Sequence, residues 1–308
     1  MITRRPTWRS LSVAAGLVAC TALATACGSS SPGNGNQASG SPSAQAPAGN
    51  AALRAKLPAS VRQSNQITMA TSADYPPFES VAADGSTITG LDPDLGHAIG
   101  KVLGVNVKFT NASFDGLIPG LASGKYTAVM AGMQDKKNRE QVVTFVDYMT
   151  SGSELAVAQG NPQHIRSFTD VCGKSVAVEK GTTQVAFASS QSAQCTHSGK
   201  HAIGVQVFDN ENQANLALSS GRVAAVFAET ATQAYAVQHA GGRLQIVGPV
   251  YDRQHVGIAL PKGQTGLADA LKGALQQLIS NGTYHSLLAK WSLDSGAISA
   301  PVINQPYS

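Results

Sequence analysis

The stretch GLDPDLGHAIGKVLGVNVKFTNASFDGLIPGLASGKYTAVMAGM, residues 90–133, changes its hydrophobic period three times. In its first part Leu95, Ala98, Ile99, Val102 and Leu103 recur at spacings of three and four, which predicts one buried helix face. Asp92 is the expected N-cap, Pro93 suits the first turn, and Gly104 is the expected stop. VNVKFTN then alternates as a half-buried strand does. SFDGLIPGLASGKY returns to helical spacing through Leu117, Ile118 and Leu121, and ends at Gly124. TAVMAGM closes the stretch as a short buried strand. With the strand QITMATS before it, the order is strand, helix, strand, helix, strand. That order predicts a mostly parallel sheet with helices on both faces, and a ligand site outside the carboxyl ends of the strands.

The pattern restarts further along. KSVAVEKGTTQVAFASSQ reads as strand, glycine turn and helix, and IGVQVFDNENQANLALSSGRVAAVFAE as strand, capped helix and strand. GLADALKGALQQLISNGTYHSLLAKW is a long amphipathic helix followed by a shorter one. Two α/β lobes are therefore expected, with no membrane-spanning segment in the mature part. The chain has 308 residues, 43% hydrophobic and 13% charged, which is ample for packed cores. Its net charge of +4 is mild and dispersed, and no basic block is interleaved with aromatics, so nucleic acid is not an expected partner.

The N-terminus reads as an export signal. A basic opening, MITRRPTWRS, precedes the apolar small-residue run LSVAAGLVACTALATAC, which is short for a membrane span. The run closes on Cys27, and a tract rich in Gly, Ser, Pro and Asn follows, too poor in apolar residues to fold alone. Together these resemble a bacterial lipoprotein signal, which implies lipidation of Cys27 and an anchor on the extracytoplasmic face of the membrane. Cys20 fits the same pattern, and an ordinary cleaved signal is the other alternative. The expected boundaries are a signal at 1–27, a flexible tether at 28–64, one lobe from 65–153 plus 254–295, a second from 154–253, and a tail at 296–308. Two of the four cysteines remain after the signal, Cys172 and Cys195. In an oxidising milieu they are expected to form a disulfide, worth about 3 kcal/mol in the chain-entropy account. A metal site at Cys195, His197 and His201 is the rival reading, although the spacing matches no standard zinc pattern.

Catalytic signatures are missing: there is no Gly-x-Ser-x-Gly and no His-Glu-x-x-His. CGKS at Cys172 has Phe168 where a P-loop needs its first glycine. No enzyme activity, cofactor or metal is expected.

ATSADYPPFES, the stretch quoted first, VAVEKGTTQ, GRVAAVFAE and NGTYHSLLAKW together resemble the extracellular solute-binding proteins of polar amino-acid ABC importers. DKKNRE resembles a pattern of actinobacterial members. The resemblance runs from about Ile67 to Leu293. It implies a two-lobed periplasmic-binding-protein fold joined by two crossing strands, near MTSGSELAV and YDRQHVGIAL. It also implies a monomer that hands a free amino acid to a membrane permease. A sensor module is the alternative role. A dehydratase on the same fold is a further one, with Glu229 and Lys136 as acid candidates.

A bound amino acid needs a partner for each of its buried charges. Arg139 lies where the family holds the α-carboxylate, and a guanidinium can give that group two parallel bonds. Gly132 and Gln134 are expected to add backbone donors. Thr183, at the start of the next helix, is expected to add a hydroxyl and an amide, with Gln184 as a further candidate. Glu229 stands where the family has the Asp that takes the ammonium. Tyr75 and Phe114 match aromatic positions that cover the ligand side chain. Ser72 replaces an Asp that pairs with cationic ligands in many relatives, which argues against basic amino acids. Lys136 replaces a short hydroxyl; its charge favours an acidic or amide ligand if it faces the site, and the alternative is a side chain turned into water.

Overall fold

The computed structural model describes residues 49–306, so the signal, its lipobox cysteines Cys20 and Cys27, and the first part of the expected tether lie outside the described residues. The folded body begins earlier than expected. Within the expected tether, Ala51–Ala55 and Ala59–Ser64 are helices, and Leu57 and Val61 are buried in the core. The side chain of Asn50 caps the first helix, and its amide donates to Val102 O at 2.7 Å. This segment is thereby tied to the helix Leu91–Leu103.

That helix buries Leu95, Ile99, Val102 and Leu103, as their spacing requires. Its cap differs from the expectation. The N-cap is Gly90, at φ +145°, where an added Cβ would sit 2.1 Å from Phe78 O. Only glycine fits such a contact. Asp92 is one step inside, and its buried carboxylate serves a different purpose, described below. Leu117 and Leu121 are buried on the next helix, Phe114–Ala122.

The main sheet contains nine strands. Its path runs through Asn106–Asn111, Gln66–Thr71, Ala128–Val129, Leu244–Pro261, Val143–Ala158, Ala225–Glu229, Ser175–Glu179 and Gly204–Phe208. The outer strands on each side pair in parallel: Gln66 with Asn106, Ala225 with Val176, and Ser175 with Gly204. The two long central strands, of 16 and 18 residues, run antiparallel from Leu244 opposite Ala158 to Pro261 opposite Val143. Their register slips between Val247 and Tyr251 and again before Gln254, close to where the chain passes between lobes. The cores separate there too. Val146, Tyr148, Met149 and Ile258 pack with Ile99, Leu271 and Tyr284, whereas Leu155 and Val157 pack with Phe168, Val178 and Phe227.

The expected tail is in part a strand. Val302–Ile303 pairs with Asp147 and Val146, and Asn304 exchanges bonds with the Phe145 backbone at 2.7 and 3.2 Å. This strand covers an edge that would otherwise be open to pairing. Cys172 and Cys195 form a disulfide that joins the loop before Ser175–Glu179 to the helix Thr183–His197. Cys195 is therefore no metal ligand, and no metal-holding cluster occurs among the described residues. No helix among them is long and apolar enough to cross a membrane.

Candidate functional site

The cleft between the lobes is lined by Tyr75, Phe114, Gly132, Gln134, Arg139, Thr182, Thr183, Gln184 and Glu229, around a small space. Apart from Thr182, all are positions expected from the sequence. They come from both lobes and meet at strand ends and helix starts. Thr182, which is not among the expected positions, is the N-cap of the helix that Thr183 opens.

Arg139 lies on the short helix Lys137–Glu140 and is buried. Its Nη1 donates to Gln134 O at 2.8 Å and its Nη2 to Gly181 O at 3.1 Å. The guanidinium carbon stands 5.6 Å from the centre of the Phe114 ring. A guanidinium carries five N–H groups, so two bonds leave donors for an anion. Burial draws the Arg139 pKa down to about 10, while the negative charges of Glu229 and Asp135 oppose the shift. It stays charged at neutral pH.

On the facing wall, Glu229 ends the strand Ala225–Glu229 and is 2% exposed. Its Oε2 has no hydrogen-bond partner. Burial pushes its pKa up to about 8, against the lowering effects of Ser151 and Arg139. The Glu229 amide donates to Tyr75 Oη at 3.2 Å across the cleft. Thr183 Oγ1 donates to Gln134 Oε1 at 2.7 Å, a second bridge between lobes. Gln184 Nε2 donates to Ser153 Oγ at 2.8 Å and so is held within the second lobe. Gln134 Nε2 is buried without a partner. The walls thus hold one full cation, one carboxyl whose ionisation is opposed by burial, and unpaired donor and acceptor atoms.

Three expectations are corrected. Gly132 lines the space, but its amide donates to Asp92 Oδ2 at 2.9 Å and so is not a ligand donor. Asp92 Oδ1 also accepts from Tyr148 Oη at 2.7 Å, so this carboxylate fixes the turn that carries the site. Lys136 does not line the space. Its Nζ is paired with Asp252 at 2.6 Å and faces an outer pocket. Its charge is paired there, in a pocket that Arg139, Thr182 and Thr183 also line. Ser72 also stays outside, its hydroxyl donating to Asp74 Oδ1 at 3.0 Å. Asp92 and Asp252 were not legible as site-shaping residues, because each acts on a residue at least 40 positions away.

A profile of the bacterial extracellular solute-binding proteins, family 3, matches residues 67–294. The chain belongs to this family. Among relatives of this solute-binding protein, the putative ABC transporter arginine-binding protein 2 of Escherichia coli K12 is 34% identical over 246 residues, covering 78% of this chain and 96% of its own. The arginine-binding protein ArgT of Corynebacterium glutamicum is 28% identical, covering 82% and 83%. A solved structure of an ancestral arginine-binding protein bound to arginine superposes with a TM-score of 0.66 at 36% identity, covering 74% of this chain and 98% of that one. The α/β fold of this solute-binding protein, a mostly parallel sheet flanked by helices, matches that of the solved arginine-binding protein.

Proposed function

We propose that this chain is the lipid-anchored receptor of an ABC importer, capturing one free polar amino acid and presenting it to the permease. The observation that carries the reading is the pairing of opposite chemistries across one small space. Arg139 and the start of the helix at Thr183 face it with donors, and Glu229 faces it with a carboxyl. An α-amino acid offers a carboxylate and an ammonium in that complementary arrangement. Both lobes supply partners, so the ligand makes its full set of contacts only when the lobes are together, and binding favours the closed state. The names of the relatives support the same class of ligand. Lipidation at Cys27, with Cys20 as the alternative, would hold the receptor near its permease.

An acidic or amide side chain was the preference expected from Lys136. With Lys136 paired to Asp252, that preference loses its physical basis. The test is calorimetric titration of the purified protein with each of the twenty amino acids. Saturable heat with at least one polar amino acid is expected, and no heat with any of them overturns the reading.

A further inference from the structure

The C-terminal segment reaches the back of the turn that carries the ligand site. Beyond the pairing of Val302–Ile303 with Asp147 and Val146, Gln305 O accepts from His255 Nδ1 at 2.6 Å. His255 lies on the long strand Leu244–Pro261, which holds the turn at residues 133–136. Asp135 N donates to His255 O at 2.8 Å, and Gly257 N donates to Met133 O at 2.9 Å. The same turn presents Gln134 to the cleft, and Gln134 O accepts one of the Arg139 bonds. A second link runs through side chains. Asp135 and Asp147 are fully buried, and neither forms an ion pair with Lys or Arg among the described residues. The Asp147 carboxyl lies across Gly257, where an added Cβ would clash with its Oδ1. The Gln305 amide favours the ionised form of both acids; Arg139 also favours that of Asp135, and Glu140 opposes it. The tail is thus joined to Arg139 along the backbone through His255, and through the carboxyl of Asp135.

Resting on the amino-acid reading above, we propose that residues 302–305 and Asp135 are positioning elements of the ligand site, fixing the turn at 133–136 so that the Arg139 guanidinium faces the cleft. None of them lines the cleft. The guanidinium is held by two carbonyls, Gln134 O and Gly181 O, and the first is only as fixed as its turn. Without the tail, Arg139 keeps its charge but loses its orientation. A carboxylate gains less from a donor that must be ordered on binding than from one already in place.

The test uses Asn304→Ala in the full chain, with deletion of residues 302–308 as a second variant. Asn304 Oδ1 accepts from Phe145 N at 2.7 Å, and its φ is +50°, so alanine removes a bond and adds strain far from the cleft. Melting of each variant checks folding, and the single substitution keeps the test open where the deletion unfolds. In ligand-free Asn304→Ala, hydrogen exchange should rise by about threefold or more for amides at 133–140 and stay unchanged for Ser175–Glu179 in the other lobe. In calorimetry, the preferred amino acid should bind about threefold more weakly to Asn304→Ala and about tenfold more weakly to the deletion variant, whereas its carboxamide should change by less than about twofold. In an Arg139→Ala background the effect of the tail should vanish. Unchanged exchange at 133–140, equal losses for the two ligands, or a loss that persists without Arg139 overturns the inference. Failure of every amino acid to bind falls instead on the proposed function, and the exchange comparison, which uses no ligand, still decides the role of the tail.

Discussion

Arg139 Nη2 donates to Gly181 O at 3.1 Å, so the guanidinium that faces the cleft also bridges the two lobes. Gly181 comes so close to the other lobe that an added Cβ would lie 2.9 Å from Asp115 Cα, and its φ is +80°. Beside it, Lys180 pairs with Asp115 at 2.8 Å. Gly181→Ala adds a clash that exists only when the lobes meet. It should weaken ligand affinity by about tenfold or more, since relieving an overpacked contact costs about 1–3 kcal/mol each time the lobes close. Small-angle scattering should show a more open particle in the presence of ligand. A variant that closes and binds like the parent would show that the contact yields.

Glu229 supplies a proton-linked signal. With its pKa near 8 in the empty site, it is mostly protonated at pH 7. An ammonium beside it favours the ionised form, so binding should release a proton and affinity should rise between pH 6 and pH 8. Titrations at pH 7 in buffers of different ionisation enthalpy measure this release directly. Glu229→Gln should abolish it and weaken binding. Binding by the parent protein without proton release would place the ammonium elsewhere.

Lys136 is expected to matter little to ligand choice. Its ion pair with Asp252 is partly exposed, at 21% and 20%, and such pairs contribute roughly 0–1 kcal/mol. Lys136→Ala should leave the ratio of affinities for glutamate and arginine within about threefold of the parent. A collapse of acidic-ligand binding in this variant would show that Lys136 does attract an acidic side chain.

The C-terminal strand lies over a buried carboxyl pair, and this makes stability depend on pH. Burial pushes Asp147 up to about 8, with the like charge of Asp135 adding to the shift; burial and Glu140 raise Asp135 to about 7. Their unfolded values lie near 3.9. Between about pH 4 and pH 8 the unfolded chain binds fewer protons than the folded one, so stability falls as pH rises through that window. Thermal melts should give a lower Tm at pH 8 than at pH 5. Asp147→Asn should flatten the slope. An equal slope in that variant would assign the effect to other groups.

Most of the scaffold was legible because burial imposes a period. Leu95, Ile99, Leu117 and Leu121 recur on one face of their helices, and each is buried. The lining residues were legible through the resemblance to the solute-binding family, which places a carboxylate-binding Arg, an ammonium-binding acid and covering aromatics at these positions. What was hidden depends on distant contacts. Asp92 carries the local marks of a cap, and only the fold brings it to Gly132 and Tyr148. Lys136 looks free until a residue 116 positions away neutralises it. Residues 51–64 looked like the end of a tether because their two short helices gain stability from packing, the first on Leu91–Leu103 and Thr265–Ser280 and the second on Gln66–Thr71, not from their own propensity.

The central claim is that Arg139 holds the ligand carboxylate. Calorimetry should compare the parent and Arg139→Ala with the preferred amino acid and with its carboxamide, which lacks the carboxylate charge. For the amino acid, the substitution should cost about 2–5 kcal/mol, as expected when one partner of a buried charge pair is lost. The carboxamide should lose far less, because the parent gives it no charge pair to forfeit. A loss under about 0.5 kcal/mol for the amino acid, or equal losses for both ligands, would contradict the claim.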